Sequence, residues 1–182
     1  MRRSQNQAEF KKSLWEYLEN AVSEKRQTNG RAALAQYGGV LNRVEAAYGV
    51  DKEVVTAVWG MESTYGERRG DMPVIEALST LSYEGYRDGF FRSQLIGALR
   101  ILQSGDIDPA HMSGSWAGAM GQTQFIPTTY LAYAADFTGD GRRDIWSNDP
   151  SDSLASTANY LAKSGWQAGL PAAVEVTLPP GF

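Results

Sequence analysis

The stretch from Val50 to Gly66 constrains the fold most, because it has the spacing of a helix and carries a carboxylate on its apolar side. Asp51 can cap its start and Gly66 can end it. Val54, Val55, Val58 and Met61 recur at intervals of three and four, so one face of the helix must be buried. Glu62 follows Val58 by four residues and Val55 by seven, in line with the valines rather than with the solvent-facing Lys52 and Glu53. A carboxylate held against apolar side chains either pairs with a cation or has its pKa raised until it is partly protonated near neutral pH, the state a general acid needs. The plainer reading is a rim residue, or a structural one tied to a backbone donor. The helix alone leaves both open.

The rest of the composition narrows the function classes. A chain of 182 residues suits one domain with a real core. Its apolar fraction of 42% contains no run approaching a membrane span, so no membrane-crossing segment is expected. The net charge of −4, with no basic cluster beyond Arg2-Arg3 and Arg142-Arg143, argues against nucleic acid as a partner. Zero cysteines exclude a disulfide framework, a thiol nucleophile and a Cys-ligated zinc, and the single His111 cannot form a metal cluster alone. His111 is expected on a surface or loop, since nothing nearby would orient it as a base. The opening MRRSQNQAEFKK is positive but has no apolar run after it, so it is not a signal peptide, and an exported protein would need a leader that this chain lacks. Flat aromatic rings suit sugar rings, yet most of them fall at helical spacing and are expected inside.

Read in order, the chain is mainly α. Phe10, Leu14, Leu18 and Val22 define a first helix over Gln7 to Lys25, ending at Thr28-Asn29-Gly30. Arg31 to Tyr48 forms a second, interrupted at Gly38-Gly39 and stopped by Gly49. After the Glu62 helix, Gly66, Gly70 and Pro73 make a loop long enough to shape a cleft edge, followed by a short helix from Val74 to Leu81. Asp88 is the expected cap of a helix running to Ser104, whose buried side is Phe91, Leu95, Leu99 and Leu102. Short helices are expected over Thr128 to Ala135 and Ser151 to Lys163. Val174, Val176 and Leu178 alternate with polar residues as a strand does, and a lone strand needs partners. The expectation is one domain over 1–182, with a helical core at about 7–165, an insertion at 136–147 and a β element beginning at 172–179, cut where a sheet would start.

Two loops invite ligands. The run from Gly114 to Pro127 alternates small residues with Trp116, Met120, Gln122, Gln124 and Phe125. Small residues let a backbone approach a sugar while amide side chains offer donors and acceptors, or else let two helices cross closely. The run from Asp136 to Asp144 has the start of a calcium loop, with Asp136, Thr138, Asp140 and Asp144 at positions 1, 3, 5 and 9, Gly141 at 6, and Arg142 at 7 for its carbonyl. The closing Glu is missing, since Ser147 stands at position 12, so Asp149 or Asp152 would have to complete the shell. A plain Asp/Gly turn is the alternative.

Trp59-Gly-Met-Glu-Ser-Thr-Tyr-Gly66, taken with Gly114-Ser-Trp-Ala-Gly-Ala-Met-Gly-Gln-Thr-Gln-Phe125, the Asp136 to Trp146 loop and Ala158-Asn-Tyr-Leu161, resembles the membrane-bound lytic transglycosylase B family from about Phe10 to Phe182. The resemblance implies a lysozyme-like, mostly helical fold. It also implies cleavage of the β-1,4 bond between N-acetylmuramic acid and N-acetylglucosamine in peptidoglycan, with Glu62 as acid and then base; no cofactor is required, and a structural Ca2+ is a candidate only for the Asp136 loop. It makes Ser115 and Gln124 expected sugar-binding residues, with Tyr160, Tyr83, Tyr86 and Phe91 as further candidates for the cleft wall. Ser63 is expected to support the Glu62 helix. The implied partner is the glycan strand, the implied location the periplasm or cell envelope, and the implied state a monomer. The family's further sheet and C-terminal helices are not present after Phe182, so one wall of the site is expected to be absent and a non-catalytic peptidoglycan-binding fragment is the alternative.

Overall fold

The computed structural model describes residues 13–87, 89–171 and 174–181. The chain runs through α1 (Leu14–Ala21), α2 (Glu24–Gln36), α3 (Gly38–Tyr48), α4 (Lys52–Ser63), β1 (Met72–Pro73), α5 (Val74–Tyr83), α6 (Phe90–Ser104), β2 (Ser113–Gly114), α7 (Pro127–Tyr133) and α8 (Ser151–Lys163). Helix dominates, as the periodicity requires. Among the described residues the sheet is a single antiparallel pair, Met72 opposite Gly114 and Pro73 opposite Ser113.

Two hydrophobic clusters hold these elements. The first joins Leu41 and Val44 of α3, Val55 and Trp59 of α4, and Leu154, Ala155 and Ala158 of α8. The second joins Val74 and Leu78 of α5, Phe91, Ala98 and Ile101 of α6, Met120, Phe125 and Tyr130, and the Ile145-Trp146 pair. Each fully buried aliphatic side chain contributes roughly 1.5–3 kcal/mol of transfer free energy. Helix α4 belongs to the first cluster and the 114–125 loop to the second, and α8 packs on α3, α4 and α7. The seam between the clusters therefore brings Glu62 and the small-residue loop together. A partly buried ion pair braces the second cluster: Arg143 donates to Asp106 Oδ2 at 2.6 Å, beside the Ser104 hydroxyl at 2.6 Å. Burial alone would raise the Asp106 pKa, but these bonds outweigh it and hold the carboxyl below its usual range.

Several boundaries differ from the sequence reading, each for a tertiary reason. The first two helices break at 22–23, and Thr28-Asn29-Gly30 lies inside α2 rather than ending a helix. Gly30 is tolerated there because the Tyr65 hydroxyl reaches it, within 2.9 Å of where a Cβ would stand, and donates to Arg26 O at 2.8 Å. Residues 7–12 and the Asp88 cap lie outside the described residues. Gly38-Gly39 opens α3 instead of interrupting it, the kink being at Tyr37. Leu14 and Leu18 on α1, and Val22 just after it, are exposed. On α6 the buried side is Phe91, Gln94, Ala98 and Ile101, with Leu99 turned out, because α7 covers that face and its Thr128 satisfies the Gln94 amide. Val174, Val176 and Leu178 are exposed and form no strand, since no neighbouring backbone among the described residues pairs with them.

Tyr65, just after α4, is wedged against Gly30 of α2 and Gly60 of α4. A Cβ at Gly60 would stand 2.5 Å from Tyr65 Cζ, whose ring also packs edge-on against Trp59 at 5.7 Å. Gly60→Ala is expected to destabilise the fold by about 1–3 kcal/mol through overpacking. Gly39→Ala, where a Cβ would meet nothing within 4 Å, is expected to be neutral or to stabilise by up to about 0.5–1 kcal/mol. Urea denaturation of the two variants checks the contrast.

Candidate active site

The last turn of α4 sets the site. Its buried side is Val55, Thr56, Trp59, Gly60 and Ser63, so the buried stripe is rotated from the one that the valines suggested. Met61 is exposed, and Glu62 stands at the rim of the stripe rather than within it. Asp51 makes no side-chain cap, and the helix ends at Thr64, in the left-handed region, before Gly66.

Glu62 opens onto a cleft of about 220 Å3. Val58 and Glu62 form one wall, Thr123, Gln124, Phe125 and Ile126 the facing wall, and Thr129, Thr157 and Tyr160 the remainder. Among the described residues nothing hydrogen-bonds or ion-pairs with the Glu62 carboxylate. Water reaches the residue, so the groove is open rather than dry, yet burial among these side chains raises the pKa of the carboxyl above its ordinary value. No other influence opposes that shift. A larger groove of about 610 Å3 lies around the corner, between α1, α2 and the Met61 side of α4. Its lining is mostly apolar; its one carboxylate, Glu53, is exposed and the Tyr65 hydroxyl is committed to Arg26 O, so the smaller cleft is the candidate site.

Gln124 is held in a left-handed conformation at φ 51, a strain of about 1–2 kcal/mol for a side chain of this kind. Its Nε2 donates to Arg69 O at 3.0 Å and to Gly121 O at 2.9 Å. The amide orientation is thereby fixed, and Oε1 is left as an acceptor. Tyr160 packs edge-on against Tyr133 at 5.1 Å and tilted against Phe125 at 5.8 Å, with part of its ring exposed. Gln124 and Tyr160 thus join Glu62.

The other expected sugar contacts lie elsewhere. Ser115 Oγ accepts from Ala117 N at 3.3 Å and Ala119 N at 3.1 Å, a turn-forming role. Phe91 is a core residue stacked on Tyr86 at 5.6 Å, and Tyr83 is 91% exposed; none of the three lines the cleft. Aromatic residues after α5 read equally well as core or wall, and here the α6 contact decides. The 114–125 loop contains no helix pair. Its close approach is internal, since a Cβ at Gly121 would collide with the Ile145 carbonyl. Sequence reasoning missed Thr123, Ile126, Thr129 and the inward-facing Thr157, which lies among the buried, partly polar residues of α8.

Asp136, Asp140 and Asp152 each bring a carboxylate oxygen within 4.8 Å of the others. Asp136 accepts from the backbone amides of Gly139, Asp140 and Gly141, which close the loop. Burial would raise the Asp136 pKa, but these bonds lower it overall. At Asp152 burial dominates and, with the Asp136 charge adding to it, raises the pKa. Asp149 is not in the group: it accepts from Ser151 at the start of α8. Asp144 accepts from Trp146 N and Ser147 N, and Thr138 Oγ1 donates to Asp136. Arg142 donates its amide to Asp140.

A family model described as a transglycosylase SLT domain matches residues 1–182. The chain is 36% identical over 172 residues to the membrane-bound lytic murein transglycosylase B of Escherichia coli (strain K12), covering 91% of this chain and 47% of that protein. SltB3 from Pseudomonas aeruginosa, in complex with NAG-anhNAM-pentapeptide, matches with a TM-score of 0.89 and 56% identity over 94% of this chain and 45% of that one. The Escherichia coli lytic transglycosylase SLT35 in complex with calcium matches with a TM-score of 0.79 and 36% identity over 85% of this chain and 49% of that one. The chain spans about half the length of the relatives it matches.

A carboxyl whose folded pKa lies above its unfolded value weakens the fold once it is charged. That penalty is fully present above the folded pKa and absent below the unfolded one, about 4.3. Glu62→Gln, neutral and of the same shape, is therefore expected to melt higher than the parent at pH 7, with the two curves converging below about pH 4. Calorimetry across pH measures this. A Glu62→Gln protein that melts lower at pH 7 would contradict it.

Proposed function

Because this chain belongs to the transglycosylase SLT domain family, we propose that it is a peptidoglycan lytic transglycosylase, a carbon–oxygen lyase that cleaves the β-1,4 bond between N-acetylmuramic acid and N-acetylglucosamine. The observation that carries the reading is Glu62, a carboxyl with no partner of its own among the described residues and a raised pKa, facing Gln124 and Tyr160 across a cleft. Protonated, it donates to the leaving glycosidic oxygen. Charge then develops on the anomeric carbon as an oxocarbenium-like centre. The newly formed carboxylate takes the proton from the muramyl C6 hydroxyl as that oxygen attacks, giving a 1,6-anhydro end and returning Glu62 to its starting form. A two-carboxylate hydrolysis needs a second acid beside the bond, and Glu62 is the only carboxylate among the described cleft-lining residues. Gln124 Oε1 accepts from a sugar hydroxyl or acetamido N–H, and Tyr160 offers its ring and hydroxyl.

The disaccharide pentapeptides bound to SltB3 support glycan strands of the wall as the substrate. No helix among the described residues is long and apolar enough to cross a membrane. The protein acts on the wall in the cell envelope, as a monomer, and its chemistry asks for no cofactor.

The Asp136 loop holds calcium. A hard cation with oxygen ligands fits three converging carboxylates, one of them burdened by burial and by its neighbour's charge. Asp136, Asp140 and Asp152 would hold the ion, with the Thr138 hydroxyl and the Arg142 carbonyl completing the loop. The ion's contribution is structural, and no step of the cleavage passes through it.

Incubated with murein sacculi, the protein is expected to release 1,6-anhydromuropeptides, and Glu62→Gln to lose at least about 100-fold in rate, as removal of a general acid does. Mass spectrometry of the products decides: reducing ends would indicate hydrolysis, and sacculus binding without product would leave only a glycan-binding role. Millimolar calcium is expected to raise Tm in the parent but not in Asp152→Asn, and an unchanged parent Tm would remove the ion from the account.

A further inference from the structure

We infer that Gln122 is a positioning residue for Glu62: a buried carboxamide behind helix α4 that fixes how the carboxylate stands relative to Gln124 across the cleft. The inference rests on the reading of Glu62 as the acid. Glu62 has no hydrogen bond of its own among the described residues, so its placement rests on packing and on the helix turn that carries it.

Gln122 holds the side chains that flank Glu62 on α4, one before it and one after. Its Oε1 accepts from Trp59 Nε1 at 2.9 Å, three residues before the acid. Its carbonyl accepts from Ser63 Oγ at 2.7 Å, one residue after. The other two polar groups turn the opposite way: Nε2 donates to Ser147 O at 2.7 Å and the backbone N–H to Ile145 O at 2.8 Å. Gln122 is 1% exposed and uses every polar group it has. Glutamate could not donate to Ser147, methionine could do neither job, and asparagine is one methylene short. Gly66 belongs to the same device, since a Cβ there would collide with Gln122 Oε1. Arg69 closes the circuit by donating to Gly66 O at 2.6 Å and to Ser147 O at 2.9 Å. Two residues further on, Gln124 forms the opposite wall, so one short segment both anchors the acid and faces it.

Without the carboxamide, α4 keeps the Ser63 bond to the Gln122 carbonyl but loses the tie at Trp59 and the strut to Ser147, and the carboxylate moves toward water. The groups around it keep the readout clean. Tyr160 is the one other titratable group among the described cleft-lining residues, contributed by α8. Neither the 123–126 segment nor α7 adds a titratable group to the lining. Arg26, from α2, is occupied one face around with Gly60 O and Met61 Sδ.

The test is NMR titration of the 13C-labelled Glu62 carboxyl in the whole chain. In Gln122→Met the midpoint is expected to fall toward the ordinary glutamate value by about half a pH unit, a roughly three-fold change in the equilibrium. Gln94→Met is the control, being an equally buried glutamine whose Oε1 instead accepts from Thr128 on α7. It is expected to lose stability without moving the Glu62 midpoint. If Gln122→Met does not fold, Trp59→Phe, which removes one N–H and keeps most of the ring, is expected to shift the midpoint in the same direction by less. An unmoved midpoint in the variant that folds, or an equal shift in Gln94→Met, overturns the inference. On sacculi, kcat in the folded variant falls on the order of ten-fold while KM stays unchanged. The titration needs no substrate, so a failure of the proposed activity would show separately, as a Glu62→Gln protein as active as the parent.

Discussion

A carboxylate without a hydrogen-bond partner can be held in place only by packing and by the chain that carries it, and this constraint organises the site. The hydrogen bonds that keep Glu62 at the cleft act on its neighbours in α4. Trp59 and Ser63 are tied to Gln122, Gly60 to Arg26, and the exit through Thr64 and Tyr65 to a left-handed turn wedged between two glycines. Leaving the acid itself unpaired is what lets burial raise its pKa, because a cation or a backbone donor would pull it back down. The device spends stability for function, and the strained φ of Gln124 on the facing wall is of the same kind.

The two hydrophobic clusters make sense in that light. Were α4 and the 114–125 loop in one continuous core, the seam would be filled with side chains. Placing them in separate clusters leaves a groove at the join, bridged underneath by Gln122, Arg69 and the Ile145–Asn148 segment. The Asp-rich loop is fastened to the same segment. Asp152 accepts from Asp144 N, and Asp144 in turn accepts from Trp146 N and Ser147 N. Loop, seam and acid are therefore connected by hydrogen bonds through a single stretch of chain.

Much of this was legible in the residues. The helical periods indicated most elements, and three of the quoted motifs supply Glu62, Gln124 and Tyr160, which line one cleft. What was not legible depended on distant neighbours. Gly30 has the look of a helix end until Tyr65, 35 positions later, is seen to need its missing side chain. The rotation of the buried face of α4 follows from what α2 and α8 press against it, which no spacing within α4 could reveal. Asp149 and Asp152 were equally good ligands by sequence, and only the turn that commits Asp149 to Ser151 separates them. Ser115 is built into a turn, and Tyr86 and Phe91 pack at the second cluster, placements that residue type alone did not reveal. Val174 to Leu178 alternates like a strand, but alternation describes a face and cannot supply the neighbour that makes one.

The central claim is that one carboxyl serves twice and that the attacking oxygen comes from the sugar itself, with no water entering the bond. Cleavage of sacculi in water enriched in 18O tests that claim at the atom concerned. The account predicts released muropeptides carrying no heavy oxygen at the anomeric position. Incorporation of one 18O per bond cleaved would contradict it.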